Sequence, residues 1–196
     1  MTRLEKAFIQ LDADLRAIGC RWALLGGWAV SARAEPRPTR DIDVAIVVAN
    51  DPEAERIALA LRFRGYWDNP DGALLEQTDV GRLATIRLLA PGEPLSGIGV
   101  DLLFASSGVE PEIVAAAEPL EIMPGVVVPV VRIGHLLALK VLAGRPRDLE
   151  DSRLLIREMS ISELQEARDA LELISRRGFD RGKDLLVDLA RLDIRT

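Results

Sequence analysis

The first third of the chain alternates between helical and strand-like spacing of its apolar residues. From Leu4 to Ile18 apolar residues recur at steps of three or four, which predicts a helix that Gly19 ends. The apolar run "RWALL" predicts a buried strand, and the adjacent Gly26 and Gly27 begin a helix that extends to about residue 34. Two prolines in "EPRPT" predict a turn, and the β-branched residues of "DIDVAIVV" predict a second strand.

The rest of the chain divides into a strand-rich part and a helical part. Asp51 is a plausible N-cap with Pro52 at the first helical position, and this helix runs to Gly65. Further strands are predicted at "RLATIRLLA" and "GIGVDLLFA", and a hairpin or an irregular pair of short strands at "LEIMPGVVVPVV". After about Ile133 four helical segments follow without a strand signal. We therefore expect an α+β fold, with a mixed sheet flanked by helices in residues 1–132 and a helical lobe in residues 133–196.

Composition restricts the class of protein. The chain is 48% hydrophobic, so it can bury a full core, and its formal net charge is −6 without a cluster of basic residues. This balance argues against a dedicated nucleic-acid-binding protein and against stable DNA binding. The N-terminus does not resemble a signal peptide, and no apolar run approaches the roughly 18 residues of a membrane span. A single cysteine, Cys20, fits a reducing compartment, and we expect a cytoplasmic protein.

Two carboxylates lie two residues apart at the beginning of the second strand. Asp41 and Asp43 point to the same face of that strand, where they repel each other unless a cation lies between them. Mg²⁺ prefers oxygen ligands and retains open positions for triphosphate oxygens. Asp101, in the apolar strand "GVDLLFA", is the best candidate for a third carboxylate, with Asp79 and Glu76 as weaker ones. An acidic strand end that prevents edge pairing is the alternative interpretation of the pair.

The stretch "LLGGWAVSARAEPRPTRDIDVAI" resembles the signature of the DNA polymerase β-like nucleotidyltransferase superfamily. Its "GGWA" and "TRDID" segments are similar to lincosamide and aminoglycoside nucleotidyltransferases and to AbiEii-type toxins. The segments "VDLLF" and "LLALKVLAGRPRDLEDSRLL" extend the resemblance. It implies a nucleotidyltransferase-type sheet in a catalytic lobe, and transfer of a nucleoside monophosphate from an NTP with release of pyrophosphate.

The resemblance also implies roles for individual residues. Gly26 and Gly27 would contact the triphosphate, and Asp41 and Asp43 would hold Mg²⁺, with Mn²⁺ as an alternative. Asp101 would be the third metal ligand and also the base. Many relatives carry serine where this chain has Gly27, so that hydroxyl is missing here, and Ser31, one helical turn later, is a candidate substitute.

Lys140 is a candidate on physical grounds as well, because it is the only charge in "LLALKVLA". A buried lysine needs an anionic partner, and a bound triphosphate would serve; the alternative is a lysine on the solvent side of the helix. Asp148 and Asp151 could complete a polar network with Lys140, or could simply be the N-cap and N3 acids of the next helix. The roles of Arg145 and Arg147 stay open.

Three other residues could belong to the site or to the framework around it. Arg40, next to the carboxylate pair, could balance charge or bind phosphate. His135, at the beginning of the Lys140 helix, fits a hydrogen-bonding role there better than catalysis. Trp28 could stack on a base, although a core position is more typical of a tryptophan after a glycine turn.

Two acceptor classes follow for the expected nucleotidyltransferase. One is RNA, above all the tRNA 3′ end, as in AbiEii-type toxins, with an antitoxin protein as a possible partner. The other is a small hydroxylated molecule such as an antibiotic. The acidic composition favours the small molecule, whereas the spacing of basic and acidic residues after Lys140 favours the toxin-like group. A third possibility is a catalytically silent nucleotide-binding module, although the three carboxylates, both glycines and Lys140 are all present.

Overall fold

A computed structural model of the chain describes residues 1–68, 83–92 and 97–192, and the backbone alone of residues 75–77. The helices of these regions are α1 (Arg3–Ile18), α2 (Gly26–Arg33), α3 (Asp51–Phe63), α4 (Glu110–Ala115), α5 (Ile133–Ala143), α6 (Pro146–Glu158), α7 (Ile161–Arg176) and α8 (Leu185–Leu192). The strands are β1 (Trp22–Leu25), β2 (Asp41–Ile46), β3 (Trp67–Asp68), β4 (Leu75–Gln77), β5 (Leu83–Leu89), β6 (Gly99–Leu103), β7 (Glu118–Met123) and β8 (Val126–Val130).

The strands form one mixed sheet. Its order is β3-β5-β6-β2-β1-β8-β7, and β4 also pairs with β5. β2 runs parallel to β6 and antiparallel to β1, which is in turn parallel to β8. Residues of β1, β2 and β6 are almost entirely buried apart from the carboxylate end of β2. The expected α+β fold with a mixed sheet and helices is thus confirmed, including the hairpin formed by β7 and β8.

Several local details differ from the sequence-based predictions. Helix α3 has Asn50 as its N-cap rather than Asp51, because the Asn50 side chain accepts a hydrogen bond of 3.0 Å from the amide of Glu53. The Asn50 backbone is extended, whereas Asp51 already lies within the helix. The short elements α4, β3 and β4 have no clear sequence signal. Asp79 lies outside the described residues, and the side chain of Glu76 is not described.

Helix α5 is the most buried helix of the C-terminal part. It packs against α7 and α6 and also contacts α2. Its buried residues include positions on every side of the helix, which agrees with its continuous apolar sequence. No helix within the described parts of the chain is both long and apolar enough to cross a membrane. The arrangement brings the N-terminal end of α2, the beginning of β2 and the C-terminal half of α5 around one cleft.

Candidate active site

The parallel pairing of β2 and β6 determines where the carboxylates lie. Asp43 is the register partner of Asp101, and Asp41 is the partner of Gly99. Asp41 is exposed and Asp43 half-buried, while Asp101 is only 8% exposed. All three line the same cleft. A third carboxylate therefore stands beside the pair on the neighbouring strand, as the sequence predicted for Asp101.

Asp101 is bound by an arginine that the sequence analysis did not single out. Arg87 of β5 is the register partner of Asp101, and its Nε and Nη2 atoms donate to the two carboxylate oxygens at 2.6 and 2.5 Å. Among the described residues, no group of three or more histidine, cysteine, aspartate or glutamate side chains is arranged to hold a metal ion. Arg87 is therefore the counter-ion of Asp101 in this structure.

The ionised form of Asp43 is disfavoured by burial and by the two neighbouring carboxylates. Burial, together with the charges of Asp101 and Asp41, raises the pKa of Asp43 to about 6, although Lys140 and Arg145 oppose the shift. A cation bound between these carboxylates would favour their ionised forms. The chemistry of the donor set, oxygen ligands only, suits Mg²⁺.

Gly26 and Gly27 begin α2 directly below this carboxylate group. Gly26 has a φ of +65°, and a Cβ atom at this position would overlap the Asp43 carboxylate. A Cβ atom at Gly27 would lie 2.6 Å from Oγ1 of Thr39 and 2.8 Å from its Cβ. The backbone of the first turn of α2 can approach the cleft only because neither residue carries a side chain.

Lys140 occupies the centre of a buried ionic network. Its Nζ lies 2.9 Å from Oδ1 of Asp148 and 2.8 Å from Oδ2 of Asp151. Asp151 is also bound by Arg37, whose Nε is 2.7 Å from Oδ1, and Asp148 accepts a hydrogen bond of 2.7 Å from Nε of Arg145. Lys140 is 8% exposed and both acids are almost fully buried. The lysine is therefore not on the solvent side of α5, and its ammonium has two protein carboxylates as partners.

Asp148 belongs to the polar network around Lys140 and also to the first turn of α6. It is the N3 residue of α6 and accepts a hydrogen bond of 3.3 Å from the backbone amide of the N-cap residue, Arg145, while its other oxygen binds Lys140. The alternative that made Asp148 the N-cap and Asp151 the N3 acid was wrong by one helical turn, because α6 already begins at Pro146. These contacts lower the pKa of Asp148 in spite of its burial.

The cleft has a volume of about 710 Å³, and many basic side chains line it. Its carboxylates are Asp41, Asp43, Asp101 and Asp148; its basic residues among the described part of the chain are Arg37, Arg40, Arg87, Lys140, Arg145, Arg147 and Arg181. Arg40, Arg147 and Arg181 have no ion-pair partner among the described residues. Although the chain is acidic overall, this one surface favours a polyanionic ligand.

Trp28 and His135 do not line the cleft. Trp28 packs on Phe8 with ring centroids 5.4 Å apart, which agrees with the core interpretation. His135 lies in the first turn of α5, where burial lowers its pKa against the opposing charge of Glu166, and its Nδ1 has no hydrogen-bond partner within the described residues. Its position at the beginning of the helix agrees with the prediction, and the hydrogen-bonding role expected there stays a prediction.

Sequence reasoning missed Arg87, Arg37 and Thr39, and it also missed Arg181 on the cleft wall. Arg87 had a usable signal, because it is the only charge in the strand "LATIRLL", the same criterion that identified Lys140. Arg37 and Thr39 lie in the turn before Asp41, where no periodicity indicates which side chains face inwards. Arg37 finds its partner, Asp151, 114 positions further along the chain.

Comparisons with known proteins show the family of this chain. The family model of the AbiEii nucleotidyl transferase toxins of type IV toxin–antitoxin systems matches residues 11–194. No curated protein matches the sequence. An antigenic nucleotidyltransferase-like protein from Paracoccidioides brasiliensis has a similar structure, with a TM-score of 0.50 and 18% identity over 97% of this chain and 94% of that chain.

The aminoglycoside nucleotidyltransferase ANT(2″)-Ia also shares the fold. In complex with adenylyl-2″-tobramycin it gives a TM-score of 0.54 and 16% identity over 90% of this chain and 99% of that chain. Its solution structure as an antibiotic-resistance factor gives 0.50 and 17% over 88% and 91%. At these identities the likeness supports the fold alone. The resemblance seen in the sequence is confirmed by the family match across nearly the whole chain, and the protein belongs to the AbiEii nucleotidyl transferase toxin family.

Proposed function

We propose that this nucleotidyltransferase moves a nucleoside monophosphate from an NTP to a hydroxyl group of RNA, in a reaction that depends on Mg²⁺. The observation that carries the proposal is the register of β2 and β6, which sets Asp101 beside Asp43. Asp41, Asp43 and Asp101 would hold the metal, with Mn²⁺ as a possible replacement. When bound, the metal would neutralise the carboxylates and stabilise charge on the transferred phosphate.

The transfer itself exchanges one phosphorus–oxygen bond for another. The acceptor hydroxyl oxygen forms a bond to the α-phosphorus, the bond from this phosphorus to the bridging oxygen breaks, and pyrophosphate leaves. The hydroxyl proton passes to Asp101, or to a water molecule that Asp101 orients. Asp101 can accept it only after one of its oxygens is released from Arg87, and Arg87, which is partly exposed, is then free to bind a phosphate oxygen.

The phosphate groups of the NTP would lie over the beginning of α2. The backbone amides of Gly26 and Gly27 stand at a helix N-terminus, where orphan N–H groups favour an anion. Arg40 is exposed on the rim of the same cleft and would bind phosphate. Lys140 would contribute its positive charge from below the cleft, bound to its two carboxylates, and stabilise the leaving pyrophosphate electrostatically.

The charge of the cleft favours RNA over a cationic antibiotic as the acceptor. Three arginines of the cleft, Arg40, Arg147 and Arg181, have no carboxylate partner among the described residues, and a triphosphate alone need not occupy them all. The phosphates of an RNA end would bind such residues, whereas an aminoglycoside is itself a polycation and would be repelled. We therefore place the tRNA 3′ end first among acceptors and a small hydroxylated molecule second.

Nucleotide binding is the first experiment. The melting temperature is measured with each of the four NTPs, with and without Mg²⁺, because a ligand of the native state raises it. We expect one NTP to stabilise the protein only with Mg²⁺, and Asp41→Asn to remove this effect. Stabilisation by an NTP that does not depend on Mg²⁺ would instead indicate a catalytically silent nucleotide-binding module, and a protein that none of the NTPs stabilises would contradict the proposal.

Acceptor choice is the second experiment. The protein is incubated with α-labelled NTP and total tRNA, tobramycin or a lincosamide in separate reactions. We expect label in tRNA, less of it at high salt because phosphate contacts are screened, and none with Asp43→Asn. Label in the antibiotic but not in tRNA would make the second candidate correct. Because the family consists of toxins, we also propose a cytoplasmic location and an antitoxin protein as partner.

A further inference from the structure

The side chain of Thr39 fills the space that a side chain at position 27 would occupy. A Cβ atom at Gly27 would lie 2.6 Å from Oγ1 and 2.8 Å from Cβ of Thr39, both closer than side-chain atoms normally approach. Thr39 comes from the turn before β2, and it lines the cleft together with Gly27. The hydroxyl of Thr39 is thus presented at the first turn of α2 by a residue that is not part of that helix.

The hydroxyl of Thr39 makes only a long hydrogen bond within the described residues, so it can donate to a ligand instead. Oγ1 of Thr39 donates to the carbonyl oxygen of Asp41 over 3.3 Å, which is long for a hydroxyl donor. The other nearby hydroxyl, that of Ser31, donates to the carbonyl of Gly27 at 3.0 Å and accepts from the amide of Arg37 at 3.2 Å. Ser31 is therefore committed to the backbone, and the sequence-based expectation that it could serve a ligand is not supported by these contacts.

We propose that Thr39 is a triphosphate-binding residue, whose hydroxyl donates to a phosphate oxygen beside the amides of Gly26 and Gly27. This inference rests on the proposed function of the cleft. It assigns the hydroxyl at the beginning of α2 to position 39 and explains why position 27 is glycine. Since the two side chains would occupy one space, a hydroxyl can be supplied from either position but not from both.

The inference is tested by moving the hydroxyl group from position 39 to position 27. The variants Thr39→Val, Thr39→Ser, Thr39→Gly, Gly27→Ser and Gly27→Ser/Thr39→Gly are compared with the full wild-type chain. Calorimetry measures the dissociation constant of a non-hydrolysable NTP with Mg²⁺, and thermal melting checks the fold of each variant. Thr39→Val keeps the shape of the side chain and removes only the hydroxyl.

We expect Thr39→Val to bind the NTP analogue about ten- to hundredfold more weakly, the range for one hydrogen bond to a charged group. Thr39→Ser should stay near the wild-type value. Gly27→Ser alone should bind weakly because its side chain collides with Thr39. In the double variant the collision with Thr39 is gone, and Nη2 of Arg37, 3.0 Å from the Cβ position, has to shift by only a few tenths of an ångström. The serine hydroxyl is present, so binding should recover at least fivefold relative to Thr39→Gly.

Two outcomes contradict the inference while the proposed function stands: a Thr39→Val variant that binds as tightly as wild type, or a double variant that binds no better than Thr39→Gly. The second would mean that Thr39 acts only by shaping the turn before β2. A wild-type chain that binds no NTP at all would overturn the proposed function, and the inference with it.

Discussion

Arg87 and Asp101 face each other as register partners on neighbouring strands, and the arginine binds both oxygens of the carboxylate. In this structure the Arg87 guanidinium is the counter-ion of Asp101, a carboxylate that the proposed function assigns to the metal. The hydrogen bonds to Asp101, and after them the charges of Asp101, Asp41 and Asp43, in turn raise the pKa of Arg87. Under the proposed function, metal binding would exchange one cation for another, so we expect the arginine and the metal to compete for the same carboxylate.

This competition is tested with Arg87→Gln. Without metal the variant should melt at a lower temperature than wild type, because Asp101 loses its counter-ion. Its stabilisation by Mg²⁺ should reach the midpoint at a severalfold lower concentration, because no side chain has to be displaced. Arg62→Gln, which removes an exposed ion pair with Asp68 away from the cleft, is the matched control and should leave the Mg²⁺ midpoint unchanged. Equal midpoints for wild type and Arg87→Gln would refute the competition.

Asp43 should make the stability of the metal-free protein depend on pH. The carboxyl titrates near 3.8 when unfolded and near 6 in the native state, so the native state holds the proton more tightly between these values. The free energy of unfolding therefore falls as pH rises from about 4 to about 6, by about 1–2 kcal/mol for this half-buried group after allowance for solvent screening.

The variant Asp43→Asn removes this dependence. At pH 7 without metal it should be more stable than wild type by the same amount and should have no transferase activity. Urea unfolding at a series of pH values measures the difference. Mg²⁺ should reverse the order of stability, because only the wild type can bind it with this carboxylate. A metal-free variant that is less stable than wild type at pH 7 would show that burial and repulsion do not disfavour the ionised Asp43 carboxylate in the native state.

Removal of Lys140 should affect the fold as well as the reaction. Lys140→Ala leaves Asp148 and Asp151 buried with fewer partners, which should cost about 3–5 kcal/mol of stability. The roughly 10²–10³-fold slower transfer expected for a lost electrostatic stabiliser must therefore be measured where the variant is still folded. Lys140→Arg should restore neither property fully, because a planar guanidinium does not replace a compact ammonium between two carboxylates.

Lys6 of α1 is exposed, and Lys6→Ala is the control for the loss of a lysine. It should change the free energy of unfolding by less than about 0.5 kcal/mol. Chemical unfolding followed by single-turnover kinetics at low denaturant separates the two effects of Lys140. A Lys140→Ala variant with wild-type stability would show that the ionic network contributes little to the fold.

A comparison of alanine variants at Gly26 and Gly19 separates the effect of backbone strain from the effect of site geometry on NTP binding. Both have a left-handed backbone, with φ values of +65° and +79°, so alanine should cost about 1–2 kcal/mol at either position. At Gly19 no atom lies within 4 Å of the added methyl group, whereas at Gly26 it would displace the Asp43 carboxylate. Gly26→Ala should therefore abolish Mg²⁺-dependent NTP binding, and Gly19→Ala should retain it. Comparable NTP affinity in the two variants would contradict the place of Gly26 beside Asp43.

Features that depend on spacing within one element, or between adjacent elements, could be predicted from the amino-acid sequence. Strand periodicity placed Asp41 and Asp43 on one face, the two glycines marked the beginning of α2, and an acid in an apolar strand identified Asp101. The uninterrupted apolar face of α5 made Lys140 conspicuous. The division into lobes at residues 132 and 133 stays a prediction, as do the catalytic roles.

The contacts of these residues, in contrast, depend on the tertiary structure. The turn before Asp41 brings Arg37 to Asp151 and Thr39 to Gly27, and the pairing of β5 with β6 brings Arg87 to Asp101. Such partners come from elements distant in the chain, and local hydrogen-bonding and packing preferences do not specify them. Burial then makes a charged partner obligatory, which is why Lys140 binds two protein carboxylates before any phosphate.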